Sequence, residues 1–126
     1  LMLLSASMIT AVPTFVQLAA VEALKTDISP MRELYRKRRD YVCGRLTAMG
    51  LQYPEPEGAF YVFPDISRYG MTSEEFCIRM IREAGLAAVP GSCFGGEGHI
   101  RLSYCYSDEE LSQALDRLEA FLKVLQ

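Results

Sequence analysis

The sequence has no tryptophan, a single histidine and no excess of basic residues. Sixteen acidic residues against thirteen lysines and arginines give a net charge of −3 and a pI of about 5.2. Because nucleic-acid binders usually carry a basic surface, this balance argues against a nucleic-acid partner. The lone histidine, His99, has no second imidazole with which to share a metal ion, so we predict no metal site and interpret His99 as a residue at a strand edge.

Closely spaced cysteines are also missing. Cys43, Cys77, Cys93 and Cys105 lie far apart and form no C-x-x-C pair of the kind found in zinc or redox sites. Dispersed cysteines of this kind are typical of reduced thiols in a cytosolic protein. We therefore expect a cytoplasmic location.

The first charged residue is Glu22. The run 1–21 is long enough for a membrane span of about 20 residues, but it contains several hydroxyl residues and a central Pro13. No lysine or arginine precedes it, so it lacks the charged start of a signal peptide. We predict neither a membrane span nor secretion, and we interpret the chain as a piece of a larger protein whose apolar start packs on another part.

Four helices are predicted from apolar spacing and capping residues. Pro13 and Pro30 suit the first turns of two helices, the second with Ser29 as its N-cap and Gly50 beyond its end. Capping boxes open the other two at Thr72–Glu75 and Ser107–Glu110. The basic run 36–39 within the second helix is interpreted as a solvated face.

Three short apolar runs predict strands. They cover 58–63, expected to be buried on both faces, then 86–89 and 99–105. The glycine-rich segment 95–98 lacks the lysine and hydroxyl residue of a phosphate-binding loop and precedes a strand. Gly91, Gly95, Gly96 and Gly98 are therefore predicted to permit positive φ in a tight connection. The order of elements indicates one α/β domain of layered structure, and the length of 126 residues fits a single domain.

Arg101 is the strongest candidate for a functional residue. It stands among Ile100, Leu102 and Ser103 in a predicted strand. A guanidinium in such a setting needs a partner, because an unpaired buried charge is costly. Two alternatives stay open at this point: an internal ion pair with an acidic residue, or a planar fork offered to a carboxylate or phosphate ligand.

Four ordered segments resemble the class I and II aminotransferases. They are Pro56–Pro64 (PEGAFYVFP), Val89–Gly95 (VPGSCFG), Gly98–Tyr104 (GHIRLSY) and the stretch 13–24. The match extends over essentially the whole chain and is similar to the bacterial aspartate-aminotransferase-like branch. Members of that branch often carry asparagine before the proline matched by Pro13, whereas this chain has Val12 there, so the resemblance does not specify a dicarboxylate substrate.

The resemblance implies a fold-type-I enzyme that depends on pyridoxal 5′-phosphate. This chain would be its carboxy-terminal small domain at 28–126, preceded by a connecting segment and helix at 1–27. The implied fold is α/β, as an α+β small domain: a small, mainly antiparallel or mixed sheet with helices packed on it. The implied partners are an amino acid and a 2-oxo acid, the missing large domain, and a second subunit in a parent homodimer.

The resemblance carries one site residue onto this chain: Arg101, as the arginine that binds the substrate α-carboxylate. The family's cofactor-bearing lysine and its other cofactor contacts lie upstream of the matched region. Lys25, Lys37 and Lys123 do not stand in that lysine's serine-x-x-lysine context. We therefore expect no catalytic residue, no cofactor-binding residue and no bound cofactor in this chain, and no transaminase activity from it alone.

Two other interpretations remain. The chain could be a free-standing α/β module, regulatory or ligand-binding, in which Arg101 holds a small anion. It could also be an interaction domain that presents its apolar first helix to a partner.

Overall fold

The first helix in the described part of the chain has no buried side chain. The computed structural model describes residues 11–125, which divide into one unit ending at Met31 and a second beginning at Arg32. Helix α1 (Thr14–Ala23) follows Pro13, as the sequence predicts. Its apolar side chains are exposed in the first unit, Phe15 and Leu18 among them. The run 1–10 lies outside the described residues, and the predicted boundary at residue 27 stays a prediction.

Helix α2 (Ser29–Ala48) differs from the prediction at its start. Ser29 is the first residue of the helix and not the residue before it, and its backbone N–H donates to the Asp27 carboxylate at 2.9 Å. Its buried residues are Val42, Cys43 and Leu46. The apolar residues Met31 and Leu34 recur with helical spacing in the first turns and so predict a buried stripe there, but both are exposed and that prediction is wrong.

The other two helices begin at the predicted caps. Helix α3 (Ser73–Ala84) follows Thr72, whose hydroxyl accepts from the N–H of Glu75, and ends at Gly85 in the left-handed region. Helix α4 (Asp108–Val124) has a reciprocal capping box between Ser107 and Glu110. These bonds satisfy backbone N–H groups that a helix start leaves without an intrahelical partner.

The three strands form one antiparallel sheet in the order β1-β3-β2. They are β1 (Tyr61–Val62), β2 (Val89–Pro90) and β3 (Ile100–Ser103). All three are shorter than or displaced from the predicted runs. The first is short because Ala59 has φ of 59°, which turns the chain just before β1.

One core lies within the second unit. It combines the inner sides of α2, α3 and α4 with one face of the sheet. Its largest fully buried side chains include Leu46, Phe76, Met80, Ile100, Leu118 and Tyr104. The predicted α+β architecture, a small antiparallel sheet with helices packed on it, is confirmed. No helix within 11–125 is long and apolar enough to cross a membrane.

The core predicts a large effect for Leu46→Ala. Leu46 is fully buried, so its truncation should lower the free energy of unfolding by about 2–5 kcal/mol. Urea unfolding followed by far-UV circular dichroism measures the change. Leu24→Ala is the matched control, because Leu24 is 87% exposed and its loss should change stability by less than about 0.5 kcal/mol. Equal losses for both variants would contradict this core.

The α4 capping box predicts a pH-dependent contribution from Glu110. Its pKa is lowered because the carboxylate accepts hydrogen bonds from the hydroxyl and the backbone N–H of Ser107. The contribution to stability is therefore complete above the unfolded pKa of about 4.3 and is lost as pH falls through the lower folded value. The urea midpoints of wild type and Glu110→Gln should differ at neutral pH and converge below about pH 4.

Glu109→Gln is the control for this pH series. Glu109 lies in the same helical turn, but within residues 11–125 its carboxylate accepts only one long bond, at 3.4 Å from Gln113. A difference from wild type that varies with pH as strongly as that of Glu110→Gln would show that helix-end charge, and not the capping box, is responsible.

Candidate functional site

Alternation along the middle strand separates two faces of the sheet. Ile100 and Leu102 belong to the core side, where Val62 of β1 pairs with Leu102. Arg101 therefore points to the opposite face, beside Val89, its partner on β2. Val62 and Ile100 are 2% and 0% exposed, whereas Arg101 is half-buried.

Two aromatic rings flank the Arg101 guanidinium. Its central carbon lies 4.3 Å from the ring centroid of Tyr61 and 4.3 Å from that of Phe94. Both distances are within the range of cation–π attraction. The expectation that 58–63 is a strand buried on both faces is thus wrong, because Tyr61 turns its half-buried ring toward Arg101 while its neighbour Val62 enters the core.

Arg101 forms no ion pair with any carboxylate in residues 11–125. The internal salt bridge that was one of the two sequence-based alternatives is therefore not formed in this part of the chain. The two rings lie beside the guanidinium, and its N–H groups remain able to donate hydrogen bonds. Such a fork fits the two oxygens of a carboxylate.

In the loop that carries Phe94, the backbone at Gly91 lies very close to the backbone at Gly96 and His99. The segment Gly91–Phe94 is a short 3₁₀ helix, and the N–H of Gly91 donates to the carbonyl of His99 at 2.8 Å. A Cβ on Gly91 would collide with the carbonyl oxygens of Gly96 and His99, and a Cβ on Gly96 would lie 2.7 Å from the ring of Phe63.

The prediction that these glycines permit positive φ is therefore right only in part. Gly95 and Gly98 have φ of 73° and 79°. Gly91 and Gly96 do not, and their hydrogen side chains are needed for space instead.

Hydrogen bonds join the two arms of this loop to helix α3. Glu97 accepts from the backbone N–H of Ser73 at 2.6 Å, from the Ser73 hydroxyl at 3.1 Å and from the N–H of Gly98 at 3.1 Å. The Ser73 hydroxyl in turn accepts from the N–H of Ser92 at 3.2 Å. The backbone bonds from Ser73 and Gly98 lower the pKa of Glu97, because they stabilise its ionised form.

His99 has a structural setting, as the sequence predicts. It forms a single antiparallel bridge with Asp65 just before β3. Its ring stacks on Phe63 at 5.1 Å with an interplanar angle of 9°, and its Nδ1 lies 3.2 Å from the carbonyl oxygen of Glu97. Within 11–125, no three His, Cys, Asp or Glu side chains are grouped to hold a metal ion.

The basic run 36–39 is engaged in ion pairs and exposed to solvent in part. Arg38 pairs with Asp108 of α4 at 2.9 Å, and Arg39 pairs with Asp40 at 2.7 Å. The two guanidiniums are half-buried, so the interpretation as a wholly solvated face is wrong for them. Arg38 instead links α2 to the start of α4.

The lysines do not fit covalent attachment of an aldehyde cofactor. Lys25 lies 2.7 Å from a carboxylate oxygen of Glu22, and Lys123 lies 2.7 Å from one of Glu119. Lys37 is exposed on α2. A lysine that forms a Schiff base needs a neutral amine, which burial or a neighbouring cation favours and a paired carboxylate opposes.

Sequence reasoning identified Arg101 but gave no role to Tyr61, Phe94, Ser73 or Glu97. The two aromatics were present in quoted motifs, yet nothing in a linear pattern shows that both contact one arginine. Ser73 and Glu97 are 24 residues apart, and only the fold brings them together.

The loop geometry predicts a selective effect for Gly91→Ala. The added methyl would displace the carbonyls of Gly96 and His99, and with them the Phe94 ring. We expect a loss of near-UV circular dichroism from Tyr61 and its surroundings. The free energy of unfolding should fall by about 1–3 kcal/mol. Gly44→Ala is the control: Gly44 lies in α2 with nothing within 4 Å of its would-be Cβ, so this change should be neutral or stabilising by up to about 1 kcal/mol. A Gly91→Ala spectrum identical to wild type would contradict the close packing.

A family model described as "Aminotransferase class I and II" matches residues 1–118. A probable N-acetyl-LL-diaminopimelate aminotransferase of Bacillus subtilis is 50% identical over 111 residues, covering 84% of this chain and 28% of that protein. An aspartate aminotransferase of Pyrococcus horikoshii is 42% identical over 128 residues, covering 95% of this chain and 33% of its own length. The chain thus spans about 30% of the curated relatives it matches.

Solved structures agree with the sequence matches. An aromatic aminotransferase from Pyrococcus horikoshii superposes with a TM-score of 0.86 at 43% identity, over 96% of this chain and 34% of that chain. An aspartate aminotransferase from Thermus thermophilus, solved with maleate, gives a TM-score of 0.81 at 40% identity, over 93% of this chain and 32% of that one.

Proposed function

This chain belongs to the family of class I and II aminotransferases, and we propose that it forms the part of such an enzyme that binds the substrate α-carboxylate. The observation that carries the proposal is Arg101: a half-buried guanidinium flanked by two aromatic rings, with no ion pair to a carboxylate in residues 11–125. A carboxylate ligand would supply the charge and the two acceptor oxygens that this fork lacks.

The proposed reaction is transfer of an amino group between an amino acid and a 2-oxo acid, as in amino-acid biosynthesis. Both substrates carry a carboxylate next to the reacting carbon. Two parallel hydrogen bonds from Arg101 would fix the orientation of that carbon, which a single point charge would leave free to rotate. The maleate in the Thermus thermophilus structure is itself a carboxylate, and this supports the proposed ligand class.

The cofactor and its lysine are assigned to the rest of the longer protein. Pyridoxal 5′-phosphate, when bound, supplies the electron sink for chemistry at the amino-acid α-carbon. The three lysines of this chain do not fit its attachment, so we expect no cofactor on this chain and no transaminase activity from it alone.

The missing large domain is the proposed partner of this chain within one polypeptide. Helix α1 presents exposed apolar side chains such as Phe15 and Leu18, which favours a covering surface elsewhere in the protein. Near Arg101, Phe94 is 51% exposed. We propose that closure against the large domain covers this rim and excludes water from the bound carboxylate.

Two further parts of the proposal concern the whole enzyme. We propose a cytoplasmic homodimer. The four cysteines are free thiols, two of them exposed, as a reducing compartment would maintain them. The alternative, a free-standing anion-binding or regulatory module, uses the same arginine but predicts full ligand affinity without any other domain.

Arg101→Lys in the complete protein tests the role of the fork. Lysine keeps the positive charge but cannot form two parallel bonds, so kcat/KM for an amino acid should fall by about 30- to several-thousand-fold. The same substitution should have little effect on the decarboxylated amine of that amino acid, since no carboxylate is present to lose its partner.

Thermal unfolding of the same two proteins is the control for this comparison. Arg101→Lys should change Tm by only a few degrees, because no acidic partner in the described part of the chain is left unpaired. Equal losses on both substrates together with a large fall in Tm would show that Arg101 has a structural role instead.

A further inference from the structure

We propose that Ser73 and Glu97 are positioning residues for Arg101, acting through the loop that places Phe94 against the guanidinium. The inference rests on the proposed function, since it concerns the same carboxylate-binding site. Neither residue needs to touch the substrate.

The two rings beside Arg101 are held in different ways. Tyr61 belongs to β1, which pairs directly with β3 and so moves with Arg101. Phe94 belongs to a loop outside the sheet, at the end of a four-residue 3₁₀ helix. Its position therefore depends on whatever anchors that loop, and a shift of the ring would change the surroundings of one side of the guanidinium.

Ser73 supplies that anchor. It is the first residue of α3 and is 0% exposed, and the same helix buries Phe76, Cys77 and Met80 in the core. Its hydroxyl and N–H are thus held at fixed positions by a well-packed helix. A fixed group of this kind can restrain a loop at little further cost in entropy.

Both sides of Phe94 are tied to this one residue. Ser92, two positions before Phe94, donates its N–H to the Ser73 hydroxyl. Glu97, three positions after it, accepts from both the N–H and the hydroxyl of Ser73. Only four residues, 93–96, lie between these two points, so fixing the ends of the segment leaves Phe94 little freedom to move.

The Glu97 carboxylate also accepts a hydrogen bond from a backbone N–H at the start of α3. The N–H of Ser73 is among the groups that have no intrahelical acceptor, and Glu97 accepts from it at 2.6 Å. The Thr72 hydroxyl accepts a hydrogen bond from the N–H of Glu75 in the same turn. Glu97 therefore joins α3 to the loop as a capping residue from a distant part of the sequence.

The test uses Ser73→Ala and Glu97→Ala in the complete enzyme. Each removes bonds that hold the loop, so each should lower kcat/KM for the amino acid on the order of 10- to 100-fold, mainly through KM. Activity on the decarboxylated amine should change less than about threefold. Inhibition by a simple carboxylate such as propionate should weaken in parallel, by a similar factor.

Ser107→Ala and Glu110→Ala are matched controls. They remove the same two residue types, with the same N–H and hydroxyl bonds to a carboxylate, at the start of α4. They should leave the ratio of amino-acid to amine activity unchanged, even if Tm falls. An equal change in the ratio of amino-acid to amine activity for the Ser73 and Glu97 variants and for the α4 controls would overturn the proposal. Any loss of helix capping would then be enough to explain the change.

Glu97→Gln covers the case in which the alanine variants do not fold. The glutamine carbonyl can still accept from the Ser73 N–H, so folding is retained, and the activity ratio should fall by a smaller factor of about three to ten. A Glu97→Gln enzyme with the wild-type ratio and wild-type propionate inhibition would overturn the proposal.

Arg101→Lys separates this inference from the function on which it rests. If Arg101→Lys is not selective for the carboxylate-bearing substrate, the proposed function itself is wrong. If Arg101→Lys is selective while the Ser73 and Glu97 variants behave like the α4 controls, only the positioning role is wrong.

Discussion

The alternation of side chains along β3 is the constraint from which the rest of the second unit follows. Ile100 and Leu102 must face the helices to complete the core, and Arg101 between them must therefore face the other way. A shift in register by one residue would bury the guanidinium and expose two aliphatic side chains. The stability of the core thus fixes the direction of the one residue that carries the proposed chemistry.

The aromatic pair shows how a charge can be left available without being left in an unfavourable environment. Tyr61 and Phe94 attract the guanidinium through their ring faces. An internal carboxylate would have stabilised the arginine more simply, but it would also have competed with a ligand carboxylate for the same N–H groups. The arrangement favours binding of an external anion.

Membership of the aminotransferase family gives this arrangement its context. The chain spans about 30% of its curated relatives, and the relatives it matches are named for different amino-acid substrates. The proposed role of binding the α-carboxylate, which all amino acids share, is compatible with that diversity.

The sequence alone determined the order of elements and the caps at Thr72 and Ser107, and it singled out Arg101 as the candidate site residue, because these depend on local hydrogen bonding, on apolar spacing or on ordered motifs. It did not determine the length of β1, the exposure of the first turns of α2 or the crowding at Gly91. These three features depend on which other parts of the folded chain pack nearby. Tertiary structure also decided that Ser73 and Glu97, 24 residues apart, form one hydrogen-bonded unit beside Phe94. Local propensity cannot encode such a contact, since its energy exists only once α3 and the loop have packed on the same core.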